Sequence, residues 1–232
     1  NDRLIDDLVR AKIKESSLEN EKHQAELYAL QSQIRPHFLC NLLESIRCLI
    51  KIGDLDNANA MIGNMGNLFR YSISGGRALV PVREELNYTM AYCEIMRFHY
   101  GNDLRFEWLV AEAAYDACIL RMLLQPLIEN ALKHGIAPKG GKGSVCINVA
   151  RGADFLKIEI RDDGAGMSAD RLNEVTLGGS SGGPGGVGLA NVKKRLKLYY
   201  GAKASLQIES GLGAGTRLLL IIPIVPLHPK EN

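Results

Sequence analysis

The first 51 residues hold no glycine and a single proline, Pro36, with charge spread throughout. A stretch so poor in breakers and so polar is expected to be helix, and such a helix needs a partner for its few apolar side chains. Those side chains recur at helical spacing. Leu4, Leu8 and Ala11 make one short seam, and Leu27, Leu30 and Ile34 make another. Between them Lys14 to Gln24 is polar apart from Leu18. The pattern predicts a long helix paired with a copy of itself; a solvated helix packed on its own domain is the alternative. Gly53-Asp54 then supplies a helix stop and a new N-cap. Ala58, Ile62, Met65, Phe69 and Ser72 line one face of a second helix that folds back on the first. Two such helices per chain, doubled, give a four-helix bundle. Ser74-Gly75-Gly76 ends the unit.

From Pro81 the character changes. Leu86, Met90, Cys93 and Arg97 step helically up to a turn at Gly101-Asn102-Asp103, and Leu104 to Val110 predicts a strand. Ile119 to His134 reads as a strongly apolar helix. Val145 to Val149 and Phe155 to Ile160 alternate as a β-pair, Val187 to Tyr200 is helical, and Ala204 to Glu209 with Thr216 to Ile222 forms a closing hairpin. The class is α+β: a helical hairpin, then an α/β sandwich with helices on one face of a mainly antiparallel sheet.

Composition excludes several functions. Lys and Arg total 28 against 26 Asp and Glu, a net charge of +2 that implies neither nucleic acid nor an anionic membrane as partner. Cys40, Cys48, Cys93, Cys118 and Cys146 show no metal-ligand spacing, which favours reduced thiols. No apolar run approaches the roughly 20 residues needed to span a bilayer. The chain enters a helical pattern at Asn1 with no signal peptide, and is expected to be a fragment of something longer.

Three separated segments carry chemistry. In Glu129-Asn130-Ala131-Leu132-Lys133-His134-Gly135, Asn130 offers a neutral oxygen to Mg²⁺, while Lys133 and His134, about one turn on, can reach phosphate. In Asp162-Asp163-Gly164-Ala165-Gly166, directly after a strand, a carboxylate meets a pocket mouth where glycines let backbone approach a flat base. A carboxylate accepts from an exocyclic amine and so selects adenine over guanine. From Gly178 to Gly188, 7 of 11 residues are glycine. A glycine-rich loop that opens a helix presents backbone N–H groups to phosphate. No GK[ST] follows it, which excludes a Walker A loop.

In order and spacing these segments resemble the N, G1 and G2 boxes of the GHKL ATPases, and Gly213-Ala214-Gly215-Thr216 is similar to that family's final glycine-threonine element. The resemblance implies ATP and Mg²⁺ as ligands. It implies Asn130 as the metal ligand and Lys133 and His134 near phosphate. Adenine would fall to Asp163 with Gly164 and Gly166, and the lid to Gly186, Gly188 and Leu189, with Thr216 beside the nucleotide.

Upstream, Pro36-His37-Phe38 sits in a helical pattern. A histidine can carry a phosphoryl group on an unprotonated ring nitrogen. Pro36 is expected to bend the helix there, and Asn41, one turn on, can orient the imidazole or an attacking water. The segment resembles the H-box of LytS/YesM-type sensor histidine kinases, and Leu124-Gln125-Pro126-Leu127-Ile128-Glu129-Asn130 matches their N-box, with similarity from about Leu27 to Pro223. This implies autophosphorylation of His37, transfer to a response-regulator aspartate, and a homodimer. It also implies a bacterial membrane sensor upstream of a cytoplasmic fragment.

The implied organisation is a signalling helix over 1–26, dimerisation and acceptor helices over 27–76, and the ATP-binding domain over 77–232. Arg35, Cys40, Leu42 and Leu120 depart from the family's usual residues without touching a presumed catalytic group. The base for His37 is open between Glu44 and a neutral imidazole needing none. Two rivals are an ATP-gated binding module without self-phosphorylation and a serine kinase of the anti-sigma type. Pro126, where the latter carry an acid, argues against the second.

Overall fold

The computed structural model describes Lys12 and residues 36–73, 77–101, 103–177 and 186–225. The seams before Pro36, the Ser74-Gly75-Gly76 break, the glycine-rich stretch up to Gly185 and the side chains of residues 36–41, His37 and Asn41 among them, lie outside the described residues. Residues 1–39 and 40–232 are separate units.

Helix α1 (Pro36–Lys51) ends at Gly53, whose φ of 79° suits glycine. Asp54 then caps α2 (Leu55–Ile73), its carboxylate accepting from Asn57 N at 3.3 Å and Asn57 Nδ2 at 2.7 Å. The stop and the cap fall where the sequence puts them. Leu42 and Ile46 on α1, and Ala58, Met61 and Leu68 on α2, are buried at helical spacing.

A short strand β1 (Leu79–Pro81) leads into α3 (Val82–Tyr100), which stops at Gly101. Strand β2 (Leu104–Val110) follows as expected. The apolar run from Ile119 departs from the single helix that its composition predicts. Its start is strand β3 (Cys118–Leu120), paired antiparallel with β1, and the helix α4 begins only at Leu124 and ends at Asn130. Between them Met122 takes a φ of 53°, which breaks the helix. A six-residue π turn, Ala131–Ile136, continues α4. Strands β4 (Gly143–Arg151) and β5 (Phe155–Asp162) form the expected hairpin. Helix α5 (Ala169–Leu177) has no counterpart in the sequence reading. Helix α6 (Gly186–Tyr200) and the hairpin β6 (Ser205–Gly211)–β7 (Gly215–Pro223) close the chain.

The main sheet has the order β2-β4-β5-β7-β6, antiparallel except for β2, which lies parallel to β4. Alternation makes one face apolar. Val145, Ile147 and Val149, then Leu156, Ile158 and Ile160, then Leu218, Leu220 and Ile222 are buried, together with Leu127, Ile128 and Leu132 and with Val192 and Leu196 of α6. Each such side chain contributes roughly 1.5–3 kcal/mol on burial. On the other face Arg217 donates to both carboxylate oxygens of Glu159, at 2.9 and 3.0 Å, and to Glu209 at 3.0 Å. No described helix is long and apolar enough to cross a membrane.

Candidate functional site

A cavity of about 330 Å³ opens where α4, the loop after β5, α5, α6 and the β6–β7 hairpin meet. Its volume lies at the small end of the range for small-molecule sites, roughly 300–1,000 Å³. The walls are largely apolar: Met167, Val175, Leu189, Ile208, Leu212 and Leu218. Asn130, His134, Asp162, Ser168, Arg171 and Thr216 bring polar groups to it. Of the residues expected to bind a ligand, Asn130, His134, Gly166, Leu189 and Thr216 thus share one cavity wall.

Asn130 ends α4. Its Nδ2 is buried and has no hydrogen-bond partner in the structure. Gly188, on the first turn of α6, faces it; a Cβ there would stand 3.5 Å from Nδ2. An amide N–H buried without a partner costs about 1–3 kcal/mol, so this donor suits an acceptor such as a water or a phosphate oxygen, while a metal would call on Oδ1. His134 is exposed by surface area, and partial desolvation beside the cavity, then the neighbouring charges of Lys133 and Arg171, lower its pKa from the ordinary value. Lys133 is exposed and does not line the cavity.

Of the two adjacent aspartates, Asp162 and not Asp163, the residue expected to meet adenine, lines the cavity. Asp163 turns away: its Oδ1 accepts from Ser144 N and its Oδ2 from Ser144 Oγ, both at 2.8 Å. Lys139 Nζ also donates to the Asp163 carbonyl at 2.7 Å. Burial works against ionisation of Asp163, but the Ser144 donors and Lys139 outweigh it and hold the carboxyl below its usual range. Asp163 therefore fastens β4 to the β5 loop. Asp162 is the residue in the cavity, 4% exposed, with Oδ1 accepting from Gly164 N at 2.9 Å. Burial pushes its carboxyl up against the backbone bonds from Gly164 and Thr216, and the charge of Asp163 adds to the rise. Parity was the missed signal. Leu156, Ile158, Ile160 and Asp162 share the inward face of β5, and residue 163 falls outside that alternation.

Glycines shape the floor. A Cβ on Gly135 would lie 2.5 Å from Asp162 Oδ1, one on Gly164 would collide with the Gly135 backbone, and one on Gly215 would collide with the Asp162 carbonyl. Gly135 O also accepts from Ala165 N at 2.9 Å, which joins the π turn to the loop. Thr216 Oγ1 lies 2.9 Å from Ser210 Oγ across the closing hairpin. Sequence reasoning also missed Arg171, Val175 and Lys193. Lys193 Nζ on α6 donates to the carbonyls of Val175 at 2.9 Å and Thr176 at 3.1 Å, which secures the end of α5.

On α1, Glu44 pairs with Arg47. That hydrogen bond lowers the Glu44 pKa, which makes it a weaker base.

Comparison with known proteins gives independent findings. Residues 25–104 match the family model described as histidine kinase. Residues 115–226 match the model described as histidine kinase-, DNA gyrase B-, and HSP90-like ATPase. Sensor histidine kinase YesM of Bacillus subtilis is 34% identical over 200 residues, covering 86% of this chain and 33% of that protein. Sensor histidine kinase YpdA of Escherichia coli is 36% identical over 202 residues, covering 87% and 34%. The chain thus spans about a third of the length of these relatives. The solved catalytic domain of histidine kinase ThkA aligns with a TM-score of 0.50 at 13% identity, covering 65% of this chain and 100% of that one, a likeness of fold alone.

Proposed function

We propose, for a chain that belongs to the histidine kinase family and carries its gyrase B- and HSP90-like ATPase domain, that it is the catalytic core of a two-component sensor kinase. The observation that carries the reading is the buried, unpartnered amide of Asn130 at one end of an apolar cavity that also contains the buried carboxylate of Asp162. In this reading Asp162 accepts from the exocyclic amine of adenine between the apolar walls. The phosphates extend past Asn130 towards Lys133, His134 and the glycine-rich segment that runs into Gly186 and Gly188.

Bound Mg²⁺ would supply neutralisation of the phosphate charge. Asn130 Oδ1 and the nucleotide's own oxygens would hold it. An unprotonated ring nitrogen of His37 attacks the γ-phosphorus. The P–N bond forms as the bridging P–O bond breaks, and ADP leaves with the electron pair. The chain's part is positioning and electrostatics. The ion pair that weakens Glu44 favours a neutral imidazole acting without a side-chain base. Asn41 would orient the ring.

The phosphoryl group then passes to an aspartate of a response regulator. The proposed organisation is an input helix over 1–26, a dimerising acceptor hairpin over 27–76 and the nucleotide domain over 77–232. Leu43 and Ile50 on α1, and Leu55 and Ile62 on α2, are each more than half exposed. Their seven-residue spacing on both helices suits a second copy. A sensor in the bacterial membrane, upstream of this cytoplasmic portion, completes the proposal for the whole protein.

Incubation with γ-labelled ATP tests the reading. Label stable in base and lost in acid is expected on the chain. His37→Gln should remove it while ATP binding persists, and Asn130→Ala should remove it through the metal. Acid-labile label that persists in His37→Gln would place the acceptor elsewhere.

A further inference from the structure

Glu85, on the first turn of α3, has no exposed surface and lies outside the cavity wall. Its Oε1 accepts from the backbone N–H of Leu123 at 2.7 Å and Leu124 at 3.0 Å, and its Oε2 from that of Met122 at 2.8 Å. These are donors that the start of α4 leaves without intrahelical partners. A single distant carboxylate thus caps the helix whose far end is Asn130. The capped turn is also the one where Met122 adopts its positive φ, the sole non-glycine case among the described residues. Opposite, Arg195 of α6 donates through Nη1 to the carbonyl of Met122 at 2.8 Å and through Nη2 to that of Arg121. One strained turn is therefore gripped from α3 through its N–H groups and from α6 through its carbonyls.

A fourth element joins the same carboxylate. Tyr71, in the last turn of α2, donates its hydroxyl to Glu85 Oε2 at 2.5 Å. Its ring stacks on Tyr88 of α3 with centroids 4.4 Å apart, and the Arg121 guanidinium lies 4.2 Å from the Tyr71 ring centre. The three backbone donors form the cap itself, and the Tyr71 hydroxyl adds a donor from another element that holds the Glu85 carboxylate in its capping position. It ties the end of the acceptor hairpin to the turn that orients both nucleotide-facing helices.

We infer that Tyr71 and Glu85 form a coupling joint. Glu85 is a positioning residue for Asn130 and for α6, and the Tyr71 hydrogen bond makes that position depend on the hairpin. A displacement of the end of α2 either drags Glu85, and with it the start of α4, or breaks the bond and releases the turn. Its consequence for catalysis rests on the kinase reading above, whereas the joint itself does not.

Hydrogen exchange in the intact chain, without nucleotide, tests the joint directly. Tyr71→Phe keeps the ring stacking and removes only the hydroxyl. Exchange of the amides from Met122 to Asn130 is expected to accelerate severalfold, although the substitution sits in another helix. Autophosphorylation supplies the second readout. Tyr71→Phe should shift kcat by about fivefold or more while changing KM for ATP less than about threefold, a split that a loss of general stability would not give. Glu85→Gln turns an amide donor onto the Met122 and Tyr71 donors, and is expected to weaken ATP binding about tenfold as well. In the double variant the kcat effect should be no larger than that of Glu85→Gln alone, because the two act through one contact. Unchanged exchange from Met122 to Asn130 in Tyr71→Phe, or kcat effects that multiply, would overturn the inference. Should Glu85→Gln fail to fold, Tyr71→Phe decides alone. Absence of label in the wild-type chain would count against the kinase reading, and the exchange comparison would still decide the joint.

Discussion

Asp162 and Asp163 are adjacent carboxylates with opposite expected signatures, and exchanging each for asparagine separates them. In the proposed pose Asp162→Asn turns one acceptor oxygen into a donor that faces the adenine amine. A hydrogen bond to a charged, buried acceptor contributes roughly 1.5–3 kcal/mol. At about 1.4 kcal/mol per decade this weakens ATP binding about 10- to 150-fold. Stability should respond in the other direction. Burial, the largest influence, raises the Asp162 pKa on folding. A carboxyl raised in this way contributes stability that is present below its unfolded pKa and lost as pH rises through the folded one. At neutral pH the buried anion therefore costs stability, and asparagine removes that cost, so the melting temperature should stay level or rise. In Asp163→Asn the charge that assists both Ser144 bonds is lost at an exposed site, since the amide nitrogen can only donate to the Ser144 hydroxyl. About 0.5–1.5 kcal/mol of stability goes with it, while affinity should change less than about twofold. Titration with a fluorescent ATP analogue and thermal melts on both variants give the four numbers. Loss of affinity in Asp163→Asn with none in Asp162→Asn would refute the assignment and the parity argument behind it.

Gly135→Ala places a Cβ 2.5 Å from Asp162 Oδ1; overpacking of this kind costs about 1–3 kcal/mol, and both melting temperature and nucleotide affinity should fall. Adenosine, which carries no phosphate to titrate, should bind more weakly as pH drops through the raised pKa of Asp162, at a higher pH than an ordinary aspartate would set; calorimetry should find that dependence gone in Asp162→Asn. Lys193→Met keeps the chain length but removes the donor to Val175 and Thr176; a loss of about 1 kcal/mol would lower the melting temperature by about 2–4 °C, and an unchanged melt would show the contact to be idle.

The strands of the main sheet were legible because alternation is local: Phe155 to Ile160 and Thr216 to Ile222 announce both their period and their turns, whereas the three-residue strands β1 and β3 are too short to show one. Asn130 and Gly188 were legible for a similar reason, since residue type and segment order carry them. The run from Ile119 was not. An apolar stretch with every side chain buried has no period to read, and what divides it is a carboxylate from Glu85, 37 to 39 positions earlier. Helix α5 was missed because its face towards the cavity, Arg171 and Val175, mixes charge with one β-branched residue. That Asp162 rather than Asp163 faces the cavity is legible in the strand phase from Leu156 onwards.

The lone parallel pairing in the main sheet constrains how the nucleotide helix is acquired. The hairpins β4–β5 and β6–β7 close over short turns, and such local contacts form early. Strand β2 cannot reach β4 until the whole crossover, with β3, α4 and the π turn inside it, has been gathered in. Asn130 thus lies within a non-local closure, and the pairing of β5 with β7 must close a longer span still, so competence to bind nucleotide should be among the last properties to appear on refolding. The chain carries its own clock for the β2 step: the single tryptophan, Trp108, stands in β2 opposite Ile147, and its emission follows the docking of that strand.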